Sequence, residues 1–252
     1  MKNILLKKNV TIGIIGALDK EIASLRNYIQ PLKRTKVYNK TLYIGKLYNI
    51  NIILIKSGIG KVASSVACTI LLNLCKLDLI INIGTAGSLN MELIPGNIVL
   101  PNSTCYHDVD LTVFGYSLGQ IQNFPKLFLV NNFMMRLAET CIIKSKIKYK
   151  TDLIISGDSF ISKIESRKIL KKNFPTAIAV DMESTAIAQV CYQFKKPFLI
   201  IKSISDSSDN YAVSNFEQFV TLASKQFSKI IRDLLYNLYT RNIPKIHQNY
   251  FK

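Results

Sequence analysis

Nowhere in this chain do about eighteen apolar residues follow one another, the length a helix needs to cross a bilayer. A membrane-spanning protein is therefore not expected. The opening MKNILLKKN has an apolar run too short for a secretory leader, and no small-residue cleavage site follows it. The chain is expected to stay in the cytoplasm. Cysteine is scarce: Cys68, Cys75, Cys105, Cys141 and Cys191 are odd in number and scattered, with no Cys-x-x-Cys pair. That pattern argues against a disulfide framework and reads as buried free thiols in a reducing compartment. Histidine is rarer still. Tyr106-His107-Asp108-Val109-Asp110 gathers metal-ligating types, but no second histidine and no cysteine stands nearby, so no metal is expected. Gly13 and Gly16 do not make a G-x-G-x-x-G, and the dinucleotide fingerprint is absent. Ser57-Gly58-Ile59-Gly60-Lys61 has the wrong spacing for a P-loop, with Val62 where a hydroxyl should follow the lysine.

Acidic residues are few as well: 16 against 33 basic ones, a net charge of +17. Such an excess is what a nucleic-acid-binding module would carry. Yet the basic residues are mostly lysine, dispersed along the chain, and asparagine and isoleucine are abundant beside them. A/T-rich codons explain all three, and charge alone speaks to association and solubility rather than to fold. No nucleic-acid or membrane partner is expected.

The chain does have length, 252 residues, and 48% hydrophobic content. Both suit one large α/β domain, read over 10–241 between a short extension at 1–9 and a polar tail at 242–252. The apolar runs at 10–15, 79–83, 152–156, 177–180 and 198–201 are nearly continuous, as in strands covered by helices on both faces. Residues 41–47 and 52–55 predict a hairpin across Tyr48 to Asn51, and 97–101 a short strand. Helical spacing marks Ile22, Leu25 and Ile29, then 62–74, 133–147, 165–173 and 184–194. A last helix carries Phe219, Val220, Ala223, Phe227, Ile230, Leu234 and Leu238 on one face, and Ser214 with Glu217 has the form of a capping box at its start. The predicted fold is a single three-layer α/β/α domain around a mixed, mostly parallel twisted sheet.

Polar groups gather where strands end. Asp181 and Glu183 follow one apolar run, Ser203, Ser205 and Asp206 another, and Gly84-Thr85-Ala86-Gly87 closes a third. Gly157 to Ile161 follows a fourth. Ligands in open α/β sheets bind beyond the carboxyl ends of strands, so these ends form a candidate active site. Glu21 stands in a first helical turn, where a carboxylate is favoured by the helix dipole alone. The aromatics of 111–124, including Phe114 and Tyr116, suit a lid, a partner surface or a loop folded on its own core.

Seven pieces in fixed order carry a family likeness: GIIGALDKEI (13–22), KSGIGKVAS (56–64), NIGTAGSL (82–89), YHDVDLTVFGY (106–116), SGDSFI (156–161), AVDMESTAIAQVC (179–191) and SISDSSD (203–209). Together they resemble the bacterial 5′-methylthioadenosine/S-adenosylhomocysteine nucleosidases of the nucleoside phosphorylase/hydrolase group. The likeness runs from Val10 to about Leu238. It implies hydrolysis of the N-glycosidic bond of methylthioadenosine and S-adenosylhomocysteine, extending to 5′-deoxyadenosine, in methionine salvage. It implies no cofactor and no metal.

By the same likeness Asp206 is the acid that protonates adenine at N7, with Ser205 fixing its rotamer. Glu21 is the base that orients or activates water, and Glu183 holds the ribose hydroxyls. Phe160 stacks on adenine while the Ile161 backbone reads its edge; Met182 lies against the ribose. Ala86 and Gly87 sit at the nucleoside end of their strand, and Ile59 joins the binding set. Phe114 crosses from a second subunit to line the alkylthio pocket, which implies a homodimer. The chemistry asks for such groups independently: adenine must be protonated as it leaves, the sugar becomes cationic, and water needs a base on the opposite face. Asp181, where the family often has Glu, is read as structural. Lys202 stands where Arg is more frequent, replacing a planar fork by a point charge, and Ser88 where a second glycine is usual. Phosphorolysis shares this fold but tends to need an Arg where Asn82 stands. A futalosine-type hydrolase would keep the acid and change the 5′ pocket, and a nucleic-acid-binding module remains the non-enzymatic alternative.

Overall fold

Six consecutive buried residues, Thr11–Gly16, form β1 and set the centre of the sheet. They are buried without alternation because both faces are covered by helices. The computed structural model describes residues 10–206 and 212–241, with the side chains of 206 and 212–218 outside that description. β1 leads into α1 (Asp19–Arg26), then into an antiparallel run of β2 (Gln30–Val37), β3 (Lys40–Leu47) and β4 (Ile50–Lys56). β4 lies parallel to β1 on one edge, and α2 (Lys61–Leu74) follows it.

β5 (Leu79–Ser88) is the hub. Its first half pairs in parallel with β1, from Leu79 against Ile12 to Asn82 against Ile15. β12 (Phe198–Asp206) runs parallel along almost all of its other edge. Where β1 stops, β11 (Ala177–Asp181) takes over in the antiparallel sense, Val180 opposite Gly87 and Ala179 opposite Ser88. Gly87 therefore faces β11 on one side and Asp206 of β12 on the other. Beyond β11 the sheet continues through β10 (Leu153–Ser156) and β7 (Ser103–Tyr106), both parallel, to β8 (Phe128–Leu129). Short strands β6 (Ile98–Val99) and β9 (Tyr149–Lys150) extend the β12 edge.

Helices cover both faces. α6 (Ala212–Thr240) contacts α1, α3 (Asn132–Lys144) and β12 on one side, while α2 packs on α5 (Ser184–Gln193) on the other. α4 (Ile164–Asn173) closes a smaller apolar cluster in which Leu170 and Phe174 meet Leu153, Ile155 and Ala177. In α6, Val220, Ala223, Phe227, Ile230, Leu234 and Leu238 are all buried, as their spacing predicts, while Phe219 of the same predicted face is half-buried. The mixed α/β sheet expected from the sequence is the one observed.

Several boundaries differ from the sequence reading. The strand expected at 79–83 continues through Gly84 and Ala86 to Ser88, because small residues are tolerated where β11 and β12 both press against it. β2 was not foreseen: QPLKRTKV is largely exposed, so no apolar alternation marks it. Ser214 is not a cap, since the helix backbone already begins at Ala212. The strand expected at 97–101 shrinks to two residues, and the helix expected to reach Ile147 stops at Lys144, just before Lys146 takes a positive φ of 56°. The proposed extension 1–9 and tail 242–252 lie outside the described residues.

Candidate active site

The first carboxylate is placed by a helix start. Glu21 is the third residue of α1, and one of its oxygens accepts the backbone N–H groups of Ala17 (2.9 Å) and Leu18 (3.0 Å). These donors have no partner inside the helix, so a carboxylate three positions in satisfies them. End-stabilisation is thus real, but it uses only half of the group. The other oxygen reaches β5 and accepts from Thr85 N–H (2.8 Å) and Thr85 Oγ1 (3.0 Å). A side chain this tied cannot change rotamer without losing four bonds, and it is 2% exposed.

The second carboxylate comes from the end of β11. Asp181 accepts Ser156 Oγ on one oxygen (2.5 Å) and the Lys202 ammonium on the other (2.8 Å), with Ser184 Oγ also at 2.5 Å. Lys202 belongs to β12 and is 1% exposed, so its charge has no water to rely on. Burial works to lower its pKa. Asp181, Glu183 and Glu21, with the hydrogen bond to Asp181, outweigh burial and hold the ammonium above the ordinary lysine value.

The third is Glu183, at the cap position of α5. One oxygen accepts Gly60 N–H from the start of α2 (2.9 Å), and the other lies 4.0 Å from the Lys202 nitrogen. Burial raises its pKa to about 7; Lys202 opposes the rise and Asp181 adds to it. Gly60 sits at φ +92°, and a Cβ there would come within 2.8 Å of Asp158 Oδ1, so both the backbone angle and the space call for glycine.

These groups border one cavity of about 400 Å³, a size suited to a small-molecule site. Glu21, Ile59, Ala86, Gly87, Phe160, Ile161, Met182, Glu183 and Ser205, all singled out in the sequence, line it. Asp206 ends β12 with its backbone paired to Gly87, while its side chain lies outside the described residues. Phe114 does not line the cavity of its own chain: it stands on a 3₁₀ turn, 73% exposed beside Val113 at 85%. Three participants had no role in the sequence reading. Asp181, read as structural, lines the cavity and holds Lys202. Thr85 supplies two of the four donors to Glu21. Arg167 of α4 donates to the carbonyls of Ile161 (3.2 Å) and Ser88 (3.0 Å), tying the loop of Phe160 to β5. A hydroxyl inside a run of small strand-end residues was the available signal for Thr85, and a carboxylate just after an apolar run that for Asp181; none existed for Arg167.

Of the segment Tyr106 to Asp110, weighed in the sequence as a metal cluster, Asp108 ties a loop. Asp108 pairs with Lys61 (2.7 Å) and accepts Asp158 N–H (2.9 Å).

Residues 11–236 match the model of the phosphorylase superfamily. The chain is 54% identical over 240 residues to the 5′-methylthioadenosine/S-adenosylhomocysteine nucleosidase of Buchnera aphidicola subsp. Baizongia pistaciae, covering 94% of this chain and 95% of that one. The chain belongs to the methylthioadenosine/S-adenosylhomocysteine nucleosidases of this superfamily. The nucleosidase of Staphylococcus carnosus is 40% identical, over 90% of this chain and all of its own. Among solved structures, the Neisseria meningitidis nucleosidase in complex with methylthio-immucillin-A superposes with a TM-score of 0.87 at 34% identity, covering 90% of this chain and 99% of that one. A futalosine hydrolase of Helicobacter pylori shares the fold at 28% identity and a TM-score of 0.85, covering 91% of this chain and 98% of that one.

Proposed function

We propose that the chain hydrolyses the N-glycosidic bond of 5′-methylthioadenosine and S-adenosylhomocysteine, releasing adenine and the corresponding thioribose. One observation carries hydrolysis over phosphorolysis: three buried carboxylates, Glu21, Asp181 and Glu183, line the cavity, and the single buried ammonium of Lys202 lies behind them against Asp181. Such a lining attracts a ribosyl group that becomes cationic as the bond breaks, and it repels a phosphate dianion. Asn82 supplies no countercharge, being buried with its Nδ2 donating to Ile15 O (3.2 Å) and its Oδ1 accepting from Ser184 Oγ (2.9 Å).

In the reaction, the bond between the ribose anomeric carbon and adenine breaks, and its electron pair goes to the base. Asp206 delivers a proton to N7 so that neutral adenine departs. Glu21, fixed by its four donors, receives a proton from the water that attacks the anomeric carbon. Glu183 engages the ribose hydroxyls from its seat on Gly60 N–H. Phe160 stacks on adenine, Ile161 reads its edge through the backbone, and Met182 flanks the sugar. We further propose a homodimer in which the exposed Phe114 completes the partner's alkylthio pocket, and a cytoplasmic location, in keeping with five unpaired cysteines. None of the described helices is long and apolar enough to cross a membrane.

The test is direct. Incubated with methylthioadenosine, the protein is expected to release adenine at a rate independent of added phosphate. A rate that climbs in proportion to phosphate, with a sugar phosphate as product, would overturn the hydrolytic reading.

A further inference from the structure

Ser156 opens the stretch SGDSFI and has no part in the chemistry so far. It ends β10, Asp181 ends the neighbouring β11, and the two are partners in the parallel register. The hydroxyl therefore meets the carboxylate, and Ser156 Oγ donates to Asp181 Oδ1 at 2.5 Å. Its proton has no second acceptor. The other neighbours of that oxygen are donors, Thr185 N–H and Thr185 Oγ1, both at 2.9 Å. Thr185 is met in turn by Thr104 Oγ1 at 2.5 Å. Ser184 differs. Its single proton has two acceptors, Asp181 Oδ2 at 2.5 Å and Asn82 Oδ1 at 2.9 Å. Of the two hydroxyls on Asp181, only that of Ser156 is committed to it. Thr104, Ser156, Ser184 and Thr185 are all fully buried, so the network is internal to one chain.

Asp181 stands between this network and Lys202. Its Oδ2 lies 2.8 Å from the ammonium, while Glu183 Oε2 lies at 4.0 Å. Two carboxylates thus compete for one cation. Among the described residues, the charged groups facing Glu183 are Lys202 of β12, Asp181 of β11 and Glu21 of α1, with Gly60 N–H of α2 on its other oxygen. The carboxylate that is better fixed keeps the ammonium.

We propose that Ser156 is a positioning residue: by donating to Asp181 it holds that carboxylate on Lys202 and keeps the ammonium from closing on Glu183. The proposal rests on the nucleosidase reading in one respect, that Glu183 then engages the ribose. A Glu183 oxygen taken by Lys202 is an acceptor lost to the ribose hydroxyls.

Ser156→Ala deletes the donor. An ammonium drawn toward Glu183 favours its ionised form. The test compares the full chain with Glu183→Gln, each with and without Ser156→Ala, as denaturant midpoints between pH 4.5 and 8. With Ser156 present, the loss of stability due to Glu183 runs up to about pH 7. With Ser156→Ala it is expected to end about one pH unit lower. KM for methylthioadenosine should rise about tenfold, the equivalent of one such unit, with kcat changed less. Should Ser156→Ala not fold, Ser156→Cys, close in size but only a weak donor, is read in the same way. A midpoint lowered equally at every pH, with the loss still ending near 7, would mean that Ser156 only ties two strands, and would overturn the proposal. So would an unmoved KM. A parent protein that does not cleave methylthioadenosine, while the pH interval still moves, would instead sink the nucleosidase reading and leave the positioning role standing.

Discussion

Adenine cannot leave as an anion at a useful rate, so the residue that protonates it carries the heaviest chemical demand. Asp206 follows Ser205 at the end of β12, with its backbone held against Gly87. Asp206→Asn keeps size and much of the hydrogen bonding but has no proton to give. Adenine release is expected to slow by about 10²–10⁴-fold, the usual worth of general acid catalysis, while a non-hydrolysable nucleoside analogue still binds within roughly tenfold of the parent. Near-parental turnover in a folded variant would remove Asp206 from that role. Glu183 yields a prediction of stability. Its pKa is about 7 in the folded protein against an ordinary 4.5. Below that ordinary value both states hold the proton and the group is neutral to stability. As pH rises toward 7 the unfolded chain releases its proton and the folded one keeps it, so the fold loses on the order of a few kcal/mol and loses no more above that. Glu183→Gln should remove this pH dependence, read as denaturant midpoints of both proteins between pH 4.5 and 8. Parallel curves would show that Glu183 is not held protonated. Glu21 and Glu183, each in a short motif of the sequence, both line the cavity, while the side chain of Asp206 lies outside the described residues. Asp181 and Lys202 were not joined in the sequence, since they sit on strands that never pair and meet only through the third dimension.

At the scale of elements, β5 governs the site because three strands read out on it. Gly84 lies in its middle, and a Cβ there would stand 3.0 Å from Glu21 Oε1 and 3.1 Å from Lys202 Nζ. Gly84→Ala must therefore push apart two charged groups that are otherwise immobile. A fall in kcat of at least about tenfold is expected, with a much smaller change in thermal midpoint, because misplacing catalytic groups by a fraction of an ångström is costly. Unaltered kcat would show that the pair has slack. Strands with continuous apolar runs were readable to within a residue or two at their starts, but β12 runs on from the apolar stretch 198–201 to Asp206. β5 ran longer than read because Gly84, Ala86 and Gly87 look like a loop in sequence and become strand only between β11 and β12. β2 gave no signal, being an exposed strand without apolar alternation, held by β3 alone. The helix start before Ser214 was missed for the opposite reason: a sound local capping pattern was overridden by a helix that begins earlier.

For the whole molecule, the prediction concerns assembly. Val113 and Phe114 are too exposed for their size if the chain works alone. Sedimentation is expected to show a dimer. Phe114→Ala should raise KM for methylthioadenosine about tenfold or more, the worth of burying one aromatic ring against the substrate tail. A fully active monomer at assay concentration would reject both statements. The buried quartet of Glu21, Asp181, Glu183 and Lys202 has a consequence for how the chain can drift over generations. Removing one member of a buried charged group strands the others, a loss far larger than the pair was worth. These positions are therefore closed to single steps, and change can pass through them only in company. Asp181 and Lys202 touch at 2.8 Å, so a change at either one is expected to need a matching change at the other.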